Sequence, residues 1–292
     1  MLTEYLLVFA QVHEDFRIPE LQSIAELHGF EIKFPDNPED RKTARPFMVL
    51  GLESEEHAKL LARRCVLIKY VCEFYARGRT YEEVHERNQM RAPQWQKYVD
   101  DTSFKFLVTA FNHTIPQWRQ RDVVESFSYM DFQGKIDMKN PDITLACFEE
   151  YKHGTTRPKD EGDGDFEEVW FGRLIETGSA RPLAKKFDVK KRVYYGNTSM
   201  EAEMSLLMAN QTLAAPGKLV YDPFAGTGSM AYVCNENLSV IVKHAYLRFR
   251  QTVAHFGAFF IGSDIDGRQM RGKGHDSKAF RNHPSRHAVR RR

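Results

Sequence analysis

The chain of 292 residues holds only four cysteines, Cys65, Cys72, Cys147 and Cys234, and no two of them stand in Cys-x-x-Cys spacing. That scarcity argues against a structural zinc site or a disulfide framework, so no metal ligands are expected and the thiols read as reduced core residues. Long apolar runs are also missing. No stretch approaches the roughly 18 uninterrupted apolar residues of a membrane span, and Glu4 interrupts the start, where a basic then apolar signal segment would lie. The expectation is a chain with no membrane partner, in the cytosol or nucleus. Net charge is scarce as well: 42 Lys+Arg against 40 Asp+Glu leave +2. Its distribution is uneven, because residues 271–292 hold eight Lys/Arg and one Asp, net +7, which leaves −5 over residues 1–270. With 42% hydrophobic and 12% aromatic residues, the chain is too apolar to be disordered and long enough for two packed cores.

What is present alternates. Tyr5 to Val12 is an apolar run of strand length, followed by Leu21, Ile24, Ala25 and His28 at helical spacing. Phe47 to Leu50 begins a second such pair. Ser54 is placed to cap a helix whose first turn carries Glu55 and Glu56 and whose inner face carries Ala58, Leu61 and Cys65. Residues 1–90 therefore read as a small α+β unit. Phe104, Phe106 and Val108 repeat with period two, and Val123 to Tyr129 and Ile143 to Tyr151 continue the alternation of short elements.

Residues 152–168 lack apolar periodicity and carry Pro158, Gly162, Gly164 and a cluster of acids, so they read as an exposed loop before a strand at Val169 to Leu174. Arg181 to Arg192 is strongly basic. It is a candidate linker, with a solvated surface helix as the bland alternative; an RNA-facing role needs its charges to line up with others.

The chemistry concentrates further on. An amphipathic helix runs from Asn197-Thr198-Ser199-Met200 to Leu213, and Leu219 to Tyr221 reads as a buried parallel strand. Asp222-Pro223-Phe224-Ala225-Gly226-Thr227-Gly228-Ser229 then turns into a helix. Glycines let the backbone approach a ligand, and the N–H groups of a helix start can meet a carboxylate or phosphate. A second strand, Gly257 to Ser263, ends in Asp264 and Asp266, and an acid there can accept hydrogen bonds from ribose hydroxyls. Together these describe a nucleoside-cofactor site. Asp222 could instead cap the following turn, strand length decides between Asp264 and Asp266, and Met200, Met204 and Met208 read as core packing.

DPFAGTGS resembles the S-adenosyl-L-methionine (AdoMet) motif of class I methyltransferases. NTSMEAEMSLLMANQ, GSDIDGRQMRGK, WFGRLI, KKRVYYGNTSM and FRIPELQSIAELHGF narrow the resemblance to the catalytic subunits of eukaryotic tRNA guanosine-10 N2-methyltransferases, from residue 5 to residue 273. The resemblance implies an α+β N-terminal ferredoxin-like region over 1–90 and a THUMP-type RNA-binding region over 91–180. The first part of an α/β Rossmann-like methyltransferase domain then occupies 181–273, ahead of a basic tail at 274–292. It further implies tRNA as substrate, AdoMet as cofactor, a heterodimer with a small zinc-binding activator protein, and a cytoplasmic place of work. By motif position Asp222, Gly226 and Gly228 lie around AdoMet, Asp264 holds its ribose, and Thr198 and Ser199 abut its methionine end. Trp118 is either an RNA-gripping surface aromatic or a core residue.

No catalytic residue is assigned, because the Asp-Pro-Pro-Tyr tetrapeptide that the family uses is absent from these 292 residues. Deleting Val233 to Gln251 restores continuous family text, and those residues can be encoded by a fungal-type donor, branch point and acceptor. They read as a retained intron, with a real insertion loop as the alternative, and 274–292 read as out-of-frame text or a real RNA-binding tail. The chain is accordingly expected to be C-terminally incomplete. The functional alternative is a non-catalytic tRNA-binding or regulatory fragment.

Overall fold

The computed structural model describes residues 2–152, 166–191, 199–225, 229 and 255–262. The chain divides into two compact units, residues 1–181 and 182–292.

In the first unit β1 (Thr3–Phe9) leads to α1 (Arg17–His28), β2 (Phe47–Leu52), α2 (Glu55–Arg64) and β3 (Ile68–Gly78). Then come α3 (Tyr81–Met90), α4 (Ala92–Trp95), β4 (Phe104–Phe111), α5 (Gln117–Ser126), β5 (Ile143–Tyr151) and β6 (Phe166–Thr177). The described strands form one six-stranded sheet in the order β2-β1-β3-β6-β5-β4. Neighbours are antiparallel except β4 and β5; α5, between them in sequence, supplies the crossover that a parallel pair needs. Residues on both sides of position 90 feed this sheet, which is continuous where β3 pairs with β6.

Alternation along the strands gives the sheet two apolar faces. On one, Leu6, Val8, Phe47, Cys72, Phe74, Phe111, Ala146, Phe148 and Trp170 form a single buried cluster drawn from all six strands. The sheet coils around it until its edges meet, with the rings of Phe47 on β2 and Phe111 on β4 centred 4.9 Å apart. The other face takes α3 and α5, whose Val84 and Val123 pack with Leu145, Cys147 and Phe171. Gly172 on β6 permits the close approach of β3, since a Cβ there would stand 2.2 Å from the Glu73 carbonyl oxygen.

Helix starts follow the expected chemistry: Ser54 Oγ accepts the His57 N–H at 3.3 Å, and Thr80 Oγ1 accepts the Glu83 N–H at the same distance. Buried Glu20 accepts the N–H groups of Val66 and Leu67 at 2.8 and 3.1 Å, fixing the entry to β3. Cys65, Cys72 and Cys147 are buried and unbridged, and burial pushes their thiols up, that of Cys147 to about 12. Cys234 lies outside the described residues.

The first expectation to need correction is the strand count in residues 1–90, because β3 was not foreseen. Its text, IKYVCEFYARG, loses period-two alternation because the strand pairs on both sides and is covered on both faces. β6 also begins at Phe166, so the final residues of the expected 152–168 loop are strand; residues 153–165 lie outside the described ones.

Among the described residues the second unit contains α6 (Pro182–Lys186), a 3-10 turn at Val189–Lys191, α7 (Ala202–Gln211), β7 (Leu219–Asp222) and β8 (Phe259–Gly262). The basic stretch Arg181 to Arg192 is thus helical at Pro182–Lys186 and Val189–Lys191, as the surface-helix alternative has it. Its Phe187 is buried, with the ring 5.4 Å from that of His255.

Candidate cofactor site at the ends of the parallel strands

β7 and β8 are parallel, and their register sets Leu219 beside Phe259, Val220 beside Phe260 and Asp222 beside Gly262. Val220 and Ala258 pack on Ala209 and Ala214, with Met200, Met208 and Phe260 around them. Met200 and Met208 therefore do the packing expected of them. The turn into β8 depends on Gly257, whose φ is +82° and whose absent Cβ would stand 2.9 Å from Pro216 Cγ.

Asp222 closes β7 at the carboxyl end of the strand pair, the position where open parallel sheets bind their ligands. Its Oδ1 accepts the Phe224 N–H at 2.9 Å, so it does cap the turn. Phe224 is 83% exposed and Ala225 is buried, so the loop alternates out and in as it leaves the strand. Ser229, just past the glycine motif, is buried, and its Oγ accepts the Met200 N–H at 3.0 Å. That bond ties the far end of the loop to the residue following Ser199, which is itself partly buried. Thr198, Gly226, Gly228 and Asp264 lie outside the described residues.

Sequence reasoning passed over Ser229. The available signal was a hydroxyl at the first position after Gly-x-Gly, where the sequence leads one to expect a helix start and a side chain can reach back to a neighbouring backbone.

One expectation is overturned here: β7 is not a buried strand. Leu219 and Tyr221 are 62% and 59% exposed, and Phe259 and Ile261 share their face at 50% and 52%. Among the described residues α7 covers only the Val220 and Phe260 side. In the first unit, Trp118 near the start of α5 is 64% exposed, so it is a surface aromatic and not core.

Residues 3–181 match the family described as the Tmrp11 THUMP N-terminal domain. The chain is 35% identical over 279 residues to the tRNA (guanine(10)-N(2))-methyltransferase of Saccharomyces cerevisiae, covering 94% of this chain and 57% of that one. Against the protein of the same name from Schizosaccharomyces pombe it is 32% identical over 304 residues, covering 93% and 59%. The chain therefore spans less than three fifths of the length of these relatives. Among solved structures, TrmN from Thermus thermophilus aligns at 16% identity with a TM-score of 0.40, over 91% of this chain and 67% of that one. The resemblance carried by FRIPELQSIAELHGF and DPFAGTGS is borne out, and with well over half its residues inside the match the chain belongs to the Tmrp11 THUMP N-terminal domain family.

Proposed function

We propose that the protein works in AdoMet-dependent methylation of guanine N2 at position 10 of tRNA. The observation that carries this reading is that identity with two methyltransferases of that name extends over 94% and 93% of the chain. It therefore runs through the strand, loop and strand of the second unit as well as through the first.

When bound, AdoMet supplies a methyl group activated by a sulfonium centre. The residues present suit such a ligand: a carboxylate at Asp222 stands at the carboxyl end of two parallel strands, beside a loop whose next aromatic, Phe224, is exposed. Asp222, Gly226 and Gly228 would surround the cofactor, Asp264 would accept from its ribose hydroxyls, and Thr198 and Ser199 would meet its methionine end. Ser229 would position the last pair through the Met200 backbone. No residue of this chain is assigned to removal of the guanine proton. A small zinc-binding activator protein is the proposed partner and the cytoplasm the proposed compartment, with exposed Trp118 available to RNA.

The test is transfer of labelled methyl from AdoMet to tRNA in the presence of the activator. The 292-residue chain is expected to transfer none, and a version without Val233–Gln251 that carries the relatives' downstream segment is expected to transfer label. Label incorporated by the unaltered chain would refute the reading of the missing Asp-Pro-Pro-Tyr loop. An inactive extended version that still binds tRNA would favour the non-catalytic fragment. Spliced messenger that retains codons 233–251 would sink the intron reading.

A further inference from the structure

In the first unit several arginines are spent on the protein's own carboxylates. Arg45 holds Glu150 and Glu168, Arg77 holds Asp40 at 2.7 Å, Arg119 holds Glu149 at 3.1 Å, and Arg173 holds Glu55 and Glu73 at 2.7 and 2.8 Å. The stretch opening the second unit behaves differently. Lys185, Lys186, Lys190 and Lys191 are all exposed, and none forms an ion pair with a carboxylate among the described residues.

These four charges sit on an anchored segment. Phe187 between them is buried, and its N–H donates to the Leu183 carbonyl at 2.9 Å. The Lys191 ammonium donates to the Lys185 carbonyl oxygen, which ties Lys191 back to the helix that carries Lys185 and Lys186. The one acid in the stretch, Asp188, has its Oδ1 engaged by the Lys190 N–H at 2.9 Å. Asp188 offsets one of these four like charges, and the remaining excess of positive charge repels itself until a partner offsets it. A polyanion with regularly spaced charges does so by releasing its condensed counterions. Lysines act as flexible point charges, which suits contact with a phosphate backbone, where position and not sequence is read.

We propose that Lys185, Lys186, Lys190 and Lys191 form a docking strip for the phosphate backbone of the tRNA substrate. The proposal rests on the tRNA reading above and adds to it the surface that takes the backbone.

The test is fluorescence anisotropy of an unmodified tRNA transcript titrated with the full chain from about 50 to 200 mM salt. Each duplex phosphate contact contributes roughly 0.9 to the slope of log K against log salt. Replacing all four lysines by glutamine should therefore flatten the slope by about 3 to 4, while replacing all four by arginine should preserve it. If the fourfold glutamine protein melts lower than the parent, the pairs K185Q/K190Q and K186Q/K191Q are read instead, each expected to remove about half the change. A parent chain that binds no tRNA overturns the tRNA reading itself. A parent that binds, with an unchanged slope in the glutamine proteins, overturns this proposal alone. Glutamine proteins that lose binding to phosphatidylserine vesicles but keep the tRNA slope would assign the strip to a membrane surface instead.

Discussion

The ring of Phe47, on one edge strand of the six-stranded sheet, lies 4.9 Å from the ring of Phe111 on the other edge, in an edge-to-face contact. Phe47 also stacks on Trp170 at 5.2 Å, so it closes the coil and lines its interior. Phe47→Ala should cost about 3–5 kcal/mol, the range for deleting a buried phenylalanine. Equilibrium denaturation in urea checks this, and a midpoint within error of the parent would mean that the edges do not depend on that contact.

Arg17 is fully buried, and its guanidinium donates to the carbonyls of Ala10 at 2.6 Å, Arg45 at 2.8 Å and Thr43. Burial holds its pKa below the usual arginine value. Arg17→Met keeps much of the volume but leaves those acceptors without their donor, at about 1–3 kcal/mol for each buried group. A melting temperature lowered less by Arg17→Met than by Ser126→Ala, which removes one partly exposed hydroxyl donor, would contradict that account.

His85 lies with Nδ1 3.3 Å from the Tyr129 hydroxyl and its ring 4.6 Å from that of Phe127. Burial lowers its pKa, with Glu82 on the same helix opposing. The unfolded chain therefore takes up the proton first as the medium is acidified. Stability is fully present above the unfolded value of about 6.5 and is lost as pH falls through the folded value. Urea midpoints measured from neutral to mildly acidic pH should decline less steeply in His85→Phe than in the parent. Parallel declines would remove His85 from the explanation.

Asp222 offers a way to separate capping from ligand binding. Asp222→Asn keeps an oxygen for the Phe224 N–H, whereas Asp222→Ala does not. If the carboxylate charge serves AdoMet, calorimetry should find affinity weakened in both proteins while only the alanine form loses thermal stability, by about 1 kcal/mol. Full affinity in the asparagine form would reduce Asp222 to a turn cap.

Much of the first unit was legible because its elements obey simple periodicities. Phe104, Phe106 and Val108 alternate, and Ser54 stands where a cap belongs. β3 was not, since burial on both faces erased its alternation and left Lys69, Glu73 and Arg77 to mimic a surface segment. At the candidate site, strand, turn and parallel partner were readable from Leu219 to Asp222 and from Gly257 to Ser263. The one-sided burial of β7 was not, because the residues of a strand say which are apolar but not how many layers cover them. Ser229 escaped for a related reason: its partner is a backbone N–H, which leaves no mark in the text.

The pairing of β3 with β6 also bears on how such a chain can be inherited. Eight residues of β3 between Tyr70 and Gly78 are matched to residues of β6 more than ninety positions later. A gene broken near codon 90 would leave each product with a long unpaired strand edge and half of the Phe47 and Trp170 core. Recombination can therefore move residues 3–177 only as one piece, and variation that shuffles domains should respect that boundary even where the composition of the text changes inside it.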